Sequence, residues 1–395
     1  MYALKNSKAF STFTLILLLL CSVIFGAFIA YLWVMGNFYL EPENTVYLVI
    51  TDANFPVDHA DYFNLTIVNP SHSPSGANIT KIYITVEGDD KIYSVENIQP
   101  ELPIWIERGT SKTIKCLRNW GEFAGKLVTI HLSALNASGA VRTVETKFVG
   151  LELEVDFNAS DSCKQFEMTV GNNPQSAINL TLTKIYVNGQ VPENITMLPE
   201  DENVTLPLNV SIGNSVSFRC FYDWENLVNP GVLVETLEGY YAEKTANATA
   251  KALLSITDVT FNETKPDEMS ITIANSELST TFADITDIIL TYDNGTTYLI
   301  NGSLTNPQDQ LPFRLIINET VTFNCVWNWR NYRDRNVTIT VQTRQGFTPV
   351  SISVKTPQSV VSKITDLNFN LTSTEYFLVN VTNMHVPFKT STLRE

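Results

Sequence analysis

The feature that most constrains this chain is repetition: a unit of roughly a hundred residues occurs three times in full and begins a fourth time. Each unit opens with a related segment: VYLVITDANF (46–55), LELEVDF (151–157), LLSITDVTF (253–261) and VVSKITDLNF (360–369). A second segment follows a polar turn, as FNLTIVN (63–69), FEMTVGN (166–172), MSITIAN (269–275) and FLVNVTN (377–383). Its apolar positions alternate strictly: Phe63/Leu65/Ile67, Phe166/Met168/Val170, Met269/Ile271/Ile273 and Phe377/Val379/Val381. That period of two is the pattern of a strand with one buried face. Asn69, Asn172, Asn275 and Asn383 close it at one equivalent position, where a side chain that bonds its own backbone ends a strand and starts a turn.

Eleven residues after each of the first three asparagines a third strand begins: TKIYI (80–84), TKIYV (183–187) and TDIIL (286–290). Leu102-Pro103, Leu206-Pro207 and Leu311-Pro312 recur next, as proline does at an edge or a strand start. The sharpest marker is Cys-x-x-x-Trp: Cys116 and Trp120, Cys220 and Trp224, Cys325 and Trp329. At strand spacing, residues four apart share a face, so thiol and indole enter one core. A further strand ends each unit, LVTIHLSAL (127–135), GVLVETLEG (231–239) and VTITVQT (337–343).

Ahead of the repeats, the uncharged run Ala9–Leu40 has an apolar heart at Thr14–Met35, long enough for one helix to cross a bilayer core of roughly 30 Å. Signal peptides have shorter apolar regions, of roughly 7–15 residues, so an uncleaved anchor is expected. Lys5 and Lys8 precede the run while Glu41, Glu43 and Asp52 follow it, which places the N-terminus in the cytoplasm and the repeats outside. The predicted organisation is a cytoplasmic N-terminus (1–9), a transmembrane signal anchor (10–36), repeats over 45–149, 150–250 and 251–357, and an incomplete repeat over 358–395. Two strands do not close a core, so the last unit is read as part of a longer protein, the alternative being completion by strands of another chain.

Short strands, turn signals and no helical periodicity beyond the anchor predict an all-β chain: tandem immunoglobulin-like antiparallel β-sandwich repeats after one transmembrane helix. The strand pattern and its repetition from Val46 onward resemble the Ig-like or cell-adhesion-related repeats of prokaryotic, especially archaeal, surface and S-layer-associated proteins. That resemblance implies structural, adhesive or ligand-presenting roles. The bridged cysteine pair of antibody domains is absent from the pattern.

One cysteine per repeat at equivalent places cannot pair within a repeat, so Cys116 and Cys325 read as buried thiols. Cys163 adds a second cysteine to the second repeat, and a Cys163–Cys220 disulfide is allowed outside the cell. His59, His72, His131 and His385 have no repeat equivalents. Asp52, Asp58, His59 and Asp61 offer ligands near one loop, as do Asp156 with Asp161 and Asp267 with Glu268. Their spacing is not that of a calcium loop, so they are read as turn residues, and no metal or cofactor is expected. Nucleophile elbow, P-loop, dinucleotide fingerprint and zinc-protease motif are all missing, and no enzyme is expected. A formal net charge of −15 without a basic patch argues against a nucleic-acid partner. Among the tryptophans, Trp105 and Trp327 lack repeat equivalents and are the candidates for an exposed, sugar-stacking aromatic.

Asn-x-Ser/Thr with x not proline occurs sixteen times, against about seven expected by chance from the composition. The candidate glycosylation sites are Asn64, Asn78, Asn136, Asn158, Asn179, Asn194, Asn203, Asn209, Asn247, Asn262, Asn294, Asn301, Asn318, Asn336, Asn370 and Asn380. Asn64 and Asn380 fall at outward strand positions; Asn78, Asn179, Asn294, Asn301 and Asn336 lie in or beside predicted turns. The expected function is a membrane-anchored, N-glycosylated surface protein, structural or adhesive. Its expected partners are the membrane, covalent N-glycans and neighbouring surface proteins or copies of itself. The alternative is an ectodomain that binds sugar or peptide, with repeats as spacer.

Overall fold

A computed structural model describes residues 12–39, 46–300, 304–306, 311–358, 362–369 and 377–383. The N-terminal helix, Thr12–Tyr39, carries no acidic residue in its first turn and no basic residue in its last. Within it, Thr14–Val34 is long and apolar enough to cross a membrane. Its side chains are exposed all round, Trp33 to 71% and Phe25 to 66%, with no polar stripe of the kind a surface helix presents to water.

Among the described residues, everything after the helix is strand, turn, loop or short 3-10 segment. The first sandwich pairs two sheets. One runs in the order Val49–Asn54, Phe63–Val68, Ser111–Cys116, Ile98–Gln99; the other runs Ala140–Glu145, Leu127–Leu135, Ala77–Val86, Asp89–Ser94. The short strand Ile104–Ile106 joins the second sheet against the start of Ala77–Val86. The second sandwich repeats the scheme with Leu151–Asp156, Gln165–Asn172, Ser215–Phe221 and Asn194–Met197 facing Leu208–Val210, Leu180–Val187, Gly231–Thr236 and Tyr241–Thr245. In the third, Leu254–Phe261, Glu268–Asn275, Thr320–Val326 and Leu304–Asn306 face Thr297–Leu299, Ala283–Tyr292, Asn336–Thr343 and Val350–Lys355. These pairings are antiparallel, and this is the immunoglobulin-like architecture. The segments Ser362–Phe369 and Phe377–Asn383 pair antiparallel as the opening hairpin of the same pattern.

The inner faces are those the alternation selects: Phe63, Leu65 and Ile67 have no exposed surface, nor do Ile271 and Ile273. The third strand starts three residues earlier than the sequence suggests, at Ala77, Leu180 and Ala283. What recurs at its predicted start is a β-bulge, with the register slipping at Thr80, Thr183 and Thr286. Each of these hydroxyls donates across the bulge, Thr80 to Ser133 O at 3.3 Å, Thr183 to Glu235 O at 3.0 Å and Thr286 to Gln342 O at 3.5 Å. A bulge adds local twist and re-aims the strand. The Ile-Thr-Asp of the opening strand is a second bulge, at Thr51 and at Thr257, and recurs between Ile364 and Asp366. Each sandwich also has a strand after the predicted last one: Ala140–Glu145, Tyr241–Thr245 and Val350–Lys355.

By compactness the chain divides into two units. Unit 1 holds Met1–Gly150, Asn173–Asn179 and Leu237–Tyr240; unit 2 holds Leu151–Asn172, Leu180–Thr236 and Tyr241–Glu395. Inside unit 1, Ala60 N donates to Glu238 O at 2.6 Å and Asn119 Nδ2 to Gly239 O at 2.6 Å. Inside unit 2 the tip Gln345–Phe347 is held alike, Cys163 N donating to Gln345 O at 2.8 Å. Gly239 and Gly346 take φ of +87° and +77°, the left-handed turn that glycine enters without strain.

Candidate functional site: repeat cores, sequons and an exposed tryptophan

The Cys-x-x-x-Trp motif forms the same core three times. Trp120, Trp224 and Trp329 are fully buried beside buried Cys116, Cys220 and Cys325. Each indole Nε1 donates to the carbonyl just before the second strand's first inward residue: Tyr62 O at 2.9 Å, Gln165 O at 2.9 Å and Glu268 O at 3.1 Å. A buried donor thereby meets its acceptor. A ring from the opening strand stands edge-on to each indole, with Phe55, Phe157 and Phe261 at 5.5, 5.1 and 5.7 Å between centroids. Burial pushes all three thiols up to about 12; at neutral pH they are protonated and poor nucleophiles.

The asparagines closing the second strand do something the sequence did not announce. Asn69, Asn172 and Asn275 are buried, and their Nδ2 groups reach the other sheet, donating to Ile106 O at 3.2 Å, Val210 O at 3.1 Å and Leu315 O at 3.2 Å. They tie the short strand after the Leu-Pro step to the sandwich, and Asn69 and Asn275 also hold the turn that they start, donating to Ser75 O at 3.0 Å and Thr281 O at 3.3 Å. The side chain of Asn383 lies outside the described residues.

Cys163 and Cys220 share the second core as separate free thiols. Cys163 Sγ donates to Gln345 O at 3.1 Å, and its thiol too is raised to about 12, chiefly by burial. Among the described residues, one group of three has metal-ligand spacing, Cys163 with Asp223 and Glu225, all within 4.8 Å. Lys164 Nζ already stands there, 2.7 Å from Asp223 and 3.2 Å from Glu225. Glu225 also accepts from Thr348 N at 3.0 Å and Thr348 Oγ1 at 2.8 Å. A protonated thiol and two carboxylates that already share the Lys164 ammonium fit a joint within unit 2 better than an ion site. The acidic turns are not part of it. His59 stacks on Tyr62, and His131 stacks on Tyr83 and bonds Thr85 Oγ1 at 2.9 Å.

Of the two candidate exposed tryptophans, Trp327 is buried, 4% exposed, its Nε1 donating to Tyr292 Oη at 3.0 Å. Alternation does not place it, because the strand ends at Val326 and Trp329 opens a 3-10 segment; stacking on Tyr292 and Tyr332 holds it in the core. Trp105 is 55% exposed. Fourteen sequon asparagines lie within the described residues and none is buried, while Asn301 and Asn370 lie outside them. The buried asparagines are Asn69, Asn172 and Asn275. None heads a sequon, and Asn69 is followed by Pro70-Ser71, the triplet that proline disables.

Two open depressions of about 410 and 450 Å3 adjoin on unit 1, lined by Glu96, Asn97 and Leu117 in common. Asp89 nearby accepts from Tyr93 Oη, and that bond holds its carboxyl below the usual range. Such an anion is stabilised, the reverse of what a general acid needs.

No protein-family model matches the chain, and no curated protein matches it in sequence. Among solved structures, the FN1–FN3 domains of chicken CNTN1 are 11% identical over 80% of this chain and 99% of that one, with a TM-score of 0.23. The eight N-terminal Ig domains of Down Syndrome Cell Adhesion Molecule are 14% identical over 87% of this chain and 46% of that one, TM-score 0.27. Extracellular domains 3–5 of Drosophila OTK are 9% identical over 80% and 98%, TM-score 0.20. At these TM-scores the likenesses carry no argument about function.

Proposed function

We propose that this chain is a membrane-anchored, N-glycosylated surface protein, structural or adhesive, that carries immunoglobulin-like sandwiches on the outer side of a membrane. The observation that supports it most is the sorting of asparagines among the described residues: those in sequons are exposed or half-buried, and the buried ones sit outside sequons. An asparagine amide favours the surface in any protein; a sugar adds the requirement that each occupied site stand in water, which the described sequons meet, and their excess over the composition is the second support. The apolar helix supplies the anchor, and the positive-inside rule sends the repeats outward. Abundant sequons with few cysteines suit a prokaryotic, archaeal exterior. The buried thiols and the occupied ion-pair joint support a role in packing and display.

The test is expression in a cell that performs N-glycosylation, glycopeptide mass spectrometry of each asparagine, and protease treatment of intact cells. Sugars on several repeats and release of the ectodomain are expected. Bare asparagines with protection from protease would overturn both the topology and the surface role.

A further inference from the structure

Trp105 is out of place for a sandwich side chain. It points outward between the buried Ile104 and Ile106. Its indole lies flat on Gly76: a Cβ built there would stand 2.1 Å from Cζ2, 2.6 Å from Cε2 and 2.7 Å from Cη2. Glycine is what lets the ring approach the backbone, and the exposed surface is the ring's other face. The fold does not ask for an aromatic here. The equivalent positions in the other two sandwiches are Asn209 and Arg314, the second ion-paired with Asp284 at 2.8 Å.

The residue directly across the ladder from Trp105 is Asn78, head of the sequon Asn78-Ile79-Thr80. On its other side Asn78 pairs with Leu135, itself 57% exposed. The sequon asparagine therefore sits between two exposed apolar side chains, each with its Cβ about 5 Å away. Asn64 and Asn336 lack this setting: Asn64 pairs with Lys115 and Asn54, and Asn336 with Lys355.

We propose that the first sugar attached to Asn78 folds down onto Trp105, its apolar C–H face against the free face of the indole, and that Leu135 closes the other side. The negative ring face attracts the weakly positive C–H groups of a pyranose, and an exposed apolar patch is removed from water. The inference rests on the glycosylation reading above. The attachment is a substitution without redox change: Asn78 Nδ2 bonds the anomeric carbon of a lipid-phosphate-linked sugar donor, the lipid phosphate leaves, and Nδ2 gives up one proton.

The chain has six tryptophans. Trp120, Trp224, Trp327 and Trp329 are buried, and Trp33 belongs to the apolar helix. Acrylamide quenching of the full-length protein in lipid nanodiscs, in a Trp33→Phe background that removes the tryptophan at the end of the span, thus reads Trp105. Three forms are compared: glycosylated wild type, wild type made without N-glycosylation, and glycosylated Asn78→Gln. Glycopeptide mass spectrometry records occupancy of Asn78. The quenchable component is expected in the bare and Asn78→Gln proteins, lost in the glycosylated wild type, and absent from every form carrying Trp105→Phe. Melting of the first sandwich is expected to fall by roughly 4–8 °C on losing the sugar, and by much less when Trp105 is already Ala. Equal quenching in all three forms with Asn78 occupied overturns the inference and leaves glycosylation standing. A bare Asn78 beside occupied sequons overturns it too, and bare asparagines throughout sink the glycoprotein reading with it. Quenching that depends on protein concentration and not on the sugar would instead assign the Trp105 face to a second copy.

Discussion

At the scale of single residues, the repeated thiol–indole pair sets what the chain tolerates. Truncating Trp224 to Ala removes a fully buried ring and its bond to Gln165 O, and should cost about 3–5 kcal/mol by urea unfolding. The thiols make a pH prediction. Their folded-state values, about 12, lie above the ordinary 9.0. The stability they contribute is whole below pH 9 and is lost as pH rises toward 12, because the unfolded chain releases protons that the folded chain keeps. The destabilisation caused by Cys220→Ala or Cys325→Ala should therefore shrink between pH 8 and pH 11, measured as the melting difference from wild type. Against native protein at neutral pH, thiol reagents should leave Cys116, Cys163, Cys220 and Cys325 unmodified. A Cys163–Cys220 disulfide in secreted material, found by non-reducing peptide mapping, would contradict the free thiols.

At the scale of elements, two devices hold each sandwich: the buried asparagine that ties one sheet to the other and the threonine bulge that follows it. Asn172→Ala leaves Val210 O without its donor, and a loss of about 1–3 kcal/mol is expected in chemical unfolding. Gly346→Ala forces a side chain into φ +77° and brings a Cβ to 2.9 Å of Lys164 Cγ. About 1–2 kcal/mol is expected from the backbone alone, since the lysine stem can shift. The inner strands were legible in the sequence because one face is buried and the other wet, as in Phe63–Val68 and Glu268–Asn275. Asp89–Ser94 and Tyr241–Thr245 were not, because they lie at sheet edges with hardly a buried residue between them, so no alternation is written into them. Asn69 reads as a turn former and Thr80 as a strand start. What they do, a cross-sheet bond and a bulge, depends on partners such as Ile106 and Ser133 that only the fold brings near. The Asn78–Trp105 pair was hidden for the same reason, its members being far apart in sequence and adjacent only in register.

At the scale of the whole molecule, the proposed anchoring assigns the helix to lipid and the sandwiches to water. Deleting residues 1–45 should give a folded β protein that needs no detergent, its circular dichroism showing strand and no helix; aggregation of that fragment would argue that the helix packs with the repeats. The bulge and the core motif also bear on how such an array can grow by duplication. Asn to Thr is eleven residues and Cys to Trp is four in all three sandwiches, whereas Thr80 to Cys116 is 36, Thr183 to Cys220 is 37 and Thr286 to Cys325 is 39. Length also varies elsewhere, Phe157 to Phe166 being nine residues against eight for Phe55 to Phe63 and for Phe261 to Met269, so the stretch from bulge to thiol is one of the places where insertions and deletions have been admitted. A lineage copying this unit can lengthen the edge strands and turns there, while one residue added between the tying asparagine and its bulge would turn every following side chain of the strand to the wrong face.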